Sequence, residues 1–177
     1  WFWKVEKLAA DPHANSVALR GLVAGWEQGH YQLLLARWPL YAGLIAFYVL
    51  GVVLAMRNRP LEQAAIAGLI LVPVVFYAAN YYIHVVCLLP LIVQERRAAP
   101  GESPLSPTDG WIWLTLLGLC VAQYWTVLVT DTPLHFHQST VLLFGALTAI
   151  VLALVRGDVR EGRLDFLVRY FTTKRAA

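Results

Sequence analysis

Two histidines separated by one residue, His135 and His137, stand in the stretch Thr130–Thr140. In extended backbone alternate side chains point the same way, so these imidazoles would converge on one metal ion, copper or zinc. His30 and His84 fall toward the same face once the chain is threaded as below, which would gather four of the five histidines. No Cys, Glu or third His stands at a diagnostic spacing, so interfacial hydrogen bonding is the alternative role for the pair. A second set is Asn80, His84 and Gln123, with Thr126 nearby, polar residues embedded in otherwise apolar sequence. Asn80 and His84 are four residues apart and would share one face of an α-helix. Such groups are costly against lipid and must face a cavity or a neighbouring helix. They read either as a quinone, lipid-headgroup or proton site or as hydrogen bonds joining helices. Third, Asp131 in Asp131-Thr132-Pro133 could act as an acid or base beside His135, or serve simply as a turn residue.

The elements that must position these residues are apolar and long. From Ala64 to Val93 the chain carries no formal charge, and Gln94, Glu95, Arg96 and Arg97 follow at once. Trp38–Met56, Trp111–Thr130 and Val141–Val155 are further apolar blocks. Hydrophobic residues make up 59% of the chain and charged residues 14%, against roughly 45–50% and 25% in soluble domains. The expected fold is therefore all-α, a polytopic helical membrane protein. Cys87 and Cys120 lie inside apolar segments and read as small hydrophobes, not as a disulfide framework or a zinc site. The net charge of +3 comes from basic loops and a basic tail. Without a Lys/Arg stripe interleaved with aromatics, no nucleic-acid partner is expected. Membrane lipids and protein partners in the bilayer are.

Span boundaries follow from punctuation and length. The first span is 38–56, with Pro39 in its opening turn, Trp38 and Tyr41 at an interface, and Arg57, Asn58, Arg59 and Pro60 closing it. The charge-free run would measure about 45 Å as one helix, too long for a hydrocarbon core of about 30 Å. Broken at Asn80-Tyr81-Tyr82 it yields spans at 61–79 and 81–94, the second short enough to need snorkelling of Arg96 and Arg97 or local bilayer thinning. Pro73 and Pro90 would kink either version. Spans at 111–130 and 139–155 make five. With five, Arg57, Arg59, Arg96, Arg97 and the tail from Arg156 share one side, while the Asn80 turn and Asp131–Ser139 carry no Lys or Arg. The positive-inside rule then places residues 1–37 outside the cytoplasm, residues 38–155 in the bundle and the tail 156–177 in the cytoplasm. A bacterial cytoplasmic membrane is the expected location. Lys4, Lys7, Arg20 and Arg37 put some positive charge on the outer face as well.

Outside the spans, Asn15 or Ser16 could cap a helix running through Trp26, with Val17, Leu19, Leu22 and Val23 as its apolar side. Gln94–Gly110, rich in Pro, Gly and Ser, reads as a linker. In the tail, Leu164, Leu167, Val168 and Phe171 recur at helical spacing beside Arg163, Arg169, Lys174 and Arg175, the pattern of an interfacial helix on anionic lipid. The opening Trp-Phe-Trp-Lys-Val-Glu-Lys lacks signal-peptide design, so the chain is expected to begin within a longer protein.

The run Tyr81-Tyr82-Ile83-His84-Val85-Val86-Cys87-Leu88-Leu89-Pro90-Leu91 resembles a late helix of the polyprenyl-phosphate-sugar glycosyltransferases of the GT-C class. The resemblance implies a multi-span enzyme using a lipid-linked sugar at the extracytoplasmic face. That family's catalytic acidic residues lie near the start of its chain, and nothing here matches their motif, so no catalytic residue carries over. No nucleotide-binding loop, serine elbow or His-Glu-x-x-His occurs, and no cofactor is assigned. No span carries a charge at its centre. The leading expectation is a non-catalytic integral membrane subunit or scaffold of a larger membrane complex.

Overall fold

The computed structural model describes residues 17–24, 30–57, 59–75, 80–93, 107–126, 128 and 132–160. The expected cap at Asn15 or Ser16, Asp131, the linker 94–106 and the amphipathic tail 163–175 lie outside them. Every regular element among the described residues is helical: α1 (Leu19–Ala24), α2 (His30–Ala36), α3 (Trp38–Met56), α4 (Leu61–Gly68), α5 (Leu71–Val75), a 3₁₀ helix (Asn80–Ile92), α6 (Pro107–Thr126) and α7 (Thr132–Arg160). Two helices, Trp38–Met56 and Leu134–Val159, are long and apolar enough to cross a membrane.

Helix α3 covers the same residues as the first expected span. Pro39 sits in its first turn, where no N–H is missed, and the Trp38 and Tyr41 rings lie 5.5 Å apart at that end. The following block departs from a single regular helix at Leu69–Ile70, and Pro73 is the reason. Proline has no N–H to give the carbonyl of Leu69, and its ring crowds that carbonyl. The ladder answers with tighter bonds: Leu69 N donates to Ile66 O, Ile70 N to Ala67 O and Val72 N to Leu69 O, each three residues back. The helical path therefore runs from Leu61 to Val75 in two pieces, and residues 76–79 of the expected second span are outside the described part.

The expected third span is helical but not α-helical. Asn80–Ile92 winds as a 3₁₀ helix of 13 residues. At about 2.0 Å per residue it extends about 26 Å, where α winding would give about 20 Å. The winding therefore makes the segment about 6 Å longer than an α-helix of the same residues. Because residues three apart eclipse in this geometry, Val86, Leu89 and Ile92 form one buried column while Leu88 and Leu91 stay exposed.

The last two helices begin earlier than the sequence suggests. Helix α6 starts at Pro107, inside the expected linker: proline is pre-shaped for a first helical position, and Asp109 lies in the first turn, complementing the dipole. Helix α7 starts at Thr132-Pro133 by the same logic and continues to Arg160, absorbing both the expected loop through Ser139 and the first residues of the tail.

Three contacts fix how α3 and α7 pack. Tyr48 Oη lies 3.0 Å from the carbonyl of Phe144 and 2.6 Å from Thr148 Oγ1. Gly51 sits against Val151, and Arg59 pairs with Asp158. Numbers rise together on both helices, so α3 and α7 run parallel. Thr108 against Gly157 shows that α6 runs antiparallel to α7. Helix α7 is the hub, packing on α6, α3 and α1. Helix α1 sits at the start of α3, where Arg37 Nη1 donates to the Val23 carbonyl at 2.8 Å. Its Leu19 and Val23 are buried, as is Val17 just before it, and Leu22 packs against the core. Helix α5 reaches α1, whereas the 3₁₀ helix returns beside α4 and touches α6.

Candidate functional site

The bundle has two polar ends and one polar junction in its middle. At the end where α6 finishes and α7 begins lie Gln123, His135, His137, Ser139 and Thr140. The expected convergence of His135 and His137 does not occur, because the backbone there is α-helical and not extended. At 3.6 residues per turn, side chains two apart leave the helix about 200° from each other. The His135 ring instead packs edge-on against Phe136, with centroids 5.1 Å apart. His137 is half-buried, and its Nδ1 is buried with no hydrogen-bond partner among the described residues. His30 opens α2, and its side chain lies outside the described part. Among the described residues no three His, Cys, Asp or Glu side chains group to hold a metal ion.

The second candidate set also changes shape. In 3₁₀ winding, positions four apart are a third of a turn from each other, so Asn80 and His84 do not share a face. Asn80 falls in the register column of Val86, Leu89 and Ile92, and His84 in that of Cys87 and Pro90. Their side chains, and that of Thr126, lie outside the described part. Gln123 is on α6 near its end, half-buried, and takes part in an interaction of its own.

Threonines in the bundle turn inward on their own helices. Thr115 Oγ1 donates to the Trp111 carbonyl, Thr140 Oγ1 to Phe136 and Thr148 Oγ1 to Phe144, each at 2.7 Å. Thr148 also meets Tyr48, so two hydroxyl protons serve three contacts around the Phe144 carbonyl. The Tyr48 ring stands edge-on to Phe144, centroids 5.7 Å apart. This junction joins helices in the apolar interior, where a hydroxyl without a partner is costly.

No protein-family model, curated protein or solved structure matches the chain.

The other end carries the ion pair. Arg59 Nη2 lies 3.2 Å from Asp158 Oδ1, and the Asp158 side chain is only 5% exposed. The same guanidinium donates through Nε to the Ala55 carbonyl at 3.0 Å, closing the last turn of α3. Arg59 therefore ties the α3–α4 corner to the end of α7. Nearby in sequence, Gln63 is buried on α4, with Nε2 lacking a partner among the described residues. The sequence reading treated Arg57 and Arg59 only as topological markers and did not single out Asp158. The signal was present: a five-span path brings Arg59 and Asp158, of opposite charge, to the same side.

Proposed function

We propose that this chain is a polytopic, non-catalytic membrane subunit that holds partner helices and lipid around a rigid three-helix frame. The observation that carries this reading is the character of the outer faces. Helix α6 buries Ile112, Leu116 and Leu119, an i, i+4, i+7 stripe, and presents Trp111, Trp113, Leu114, Leu117, Val121 and Tyr124 to the outside. Helix α3 does the same, burying Tyr48, Val52 and Ala55 while Leu40, Phe47, Leu50 and Val53 stay exposed. A helix apolar all round needs an apolar surrounding on every side, supplied inside by α7 and outside by lipid or another protein. Interior polar groups such as Tyr48, Thr148, Arg59 and Asp158 are engaged in holding helices together, which is the work of a scaffold.

The parallel run of α3 and α7 supports five crossings. A chain with one crossing over residues 61–94 would bring its last span antiparallel to its first. With the Arg57, Arg59 and Arg156 end in the cytoplasm, the His135–Ser139 end lies on the far side of a bacterial-type cytoplasmic membrane. Native mass spectrometry of the protein, extracted from its own membrane in mild detergent, tests the reading. A discrete complex with stoichiometric protein partners is the expected result. A lone chain or homo-oligomer carrying a lipid-linked sugar or a metal ion would refute it.

A further inference from the structure

We propose that the 3₁₀ segment Asn80–Ile92 is a spring that answers to bilayer thickness, taking the long 3₁₀ form in an ordinary bilayer and shortening toward α in a thin one. The inference rests on the reading that the chain spans the membrane. Its first support is length. Runs of 3₁₀ winding beyond three or four residues are uncommon because the hydrogen bonds are poorer, yet this one continues for 13. Something must reward the extension, and a hydrocarbon core of about 30 Å does, because α winding would leave the segment about 10 Å short.

The packing allows both forms. In the 3₁₀ form the buried column is Val86, Leu89 and Ile92. Rewound as α, the inward stripe becomes Val86, Leu89, Pro90 and Val93. Pro90 and Val93 are already half-buried, so the change exchanges Ile92 for Val93 in the inward set. Every residue from Val85 to Val93 is apolar, so rotation of that part brings no charged or amide group against lipid, whereas position 80 leaves the inward register. Pro90 weights the balance: in α winding its ring would crowd the Val86 carbonyl, a clash that favours the 3₁₀ form until the bilayer no longer needs the length. The Leu69–Ile70 joint, with bonds already drawn to i−3, is a second place on this path where the α ladder is interrupted.

Shortening has a chemical consequence. The full conversion draws the segment in by about 6 Å and brings positions 80 and 84 onto one face. Bilayer thickness would thereby decide whether Asn80 and His84 can act together.

The test uses the full chain with ¹³C-carbonyl isoleucine and ¹⁵N cysteine. Of the two cysteines, only Cys87 has an isoleucine, Ile83, four residues before it. That carbonyl accepts from the Cys87 amide in α winding but from residue 86 in 3₁₀ winding, so the ¹³C–¹⁵N dipolar coupling reads the form directly. In dioleoylphosphatidylcholine vesicles the coupling should be weak. In dilauroylphosphatidylcholine vesicles it should rise roughly two- to threefold, following the inverse cube of a shortened distance. One coupling in both bilayers, strong or weak, overturns the spring while leaving the membrane reading intact. A chain that fails to co-float with either vesicle overturns the membrane reading and the spring with it.

Discussion

Gly51→Ala probes the tightest point between α3 and α7. A Cβ built at Gly51 would lie 2.5 Å from Val151 Cγ1, whereas carbon atoms in good contact sit about 3.5–4.0 Å apart. The Val151 side chain cannot easily swing away, because it is buried and β-branched residues in helices hold one rotamer. The methyl must therefore push the helices apart or force a poor rotamer, an overpacking cost of about 1–3 kcal/mol. Against that, alanine is favoured over glycine in a helix by about 1 kcal/mol. The net expectation for Gly51→Ala is a loss of about 0–2 kcal/mol, too ambiguous alone. The decisive measurement is the double-mutant cycle with Val151→Ala, which removes the clashing methyl. In that background Gly51→Ala should become neutral or stabilising, giving a coupling energy of about 1–3 kcal/mol. Titration with SDS from mild micelles, followed through the fluorescence of the seven tryptophans, supplies the stabilities. Additivity within about 0.5 kcal/mol would refute the close approach, and with it the parallel register of α3 and α7.

Two further outcomes are expected. Arg59→Met should destabilise the bundle by up to about 3–5 kcal/mol in the same titration, because the buried Asp158 side chain loses its pairing with the Arg59 guanidinium. Adding Asp158→Leu should recover most of that loss, and a double variant no better than the single would show that the pair does not act as a unit. Replacing His135 and His137 together by Ala should leave assembly and copper or zinc content unchanged, measured by native mass spectrometry and elemental analysis. A stoichiometric metal lost in that variant would reinstate the converging-imidazole reading.

What the sequence made legible was determined by local punctuation. Trp38-Pro39 and Met56-Arg57 bracket α3 because a proline, an interfacial ring and a charge each act within one turn. The 3₁₀ winding was hidden because periods of 3 and 3.6 cannot be told apart where every position is apolar, as from Val85 to Val93. His135-Phe136-His137 was misread because Pro133 and a polar stretch resemble a loop, although proline in a first turn equally announces a helix. The Arg59–Asp158 pair and the Gly51–Val151 approach depend on two helices lying parallel across most of the chain. Such contacts carry no local signature and follow only once the path is drawn.

That parallel pairing has a consequence for how the protein is made. Ribosomes deliver α3 long before α7, and domains ordinarily fold as their segments emerge. Here the inward face of α3, with Tyr48, Gly51 and Val52, has its main partner in the last helix described. Until residues 144–158 are synthesised, α3 has its smaller contacts with α1, α4 and α5, and the partner that covers Tyr48, Gly51 and Val52 is still to come. Chains stopped before Leu134 should accordingly be recognised as orphans and degraded, even though α3 itself has already formed.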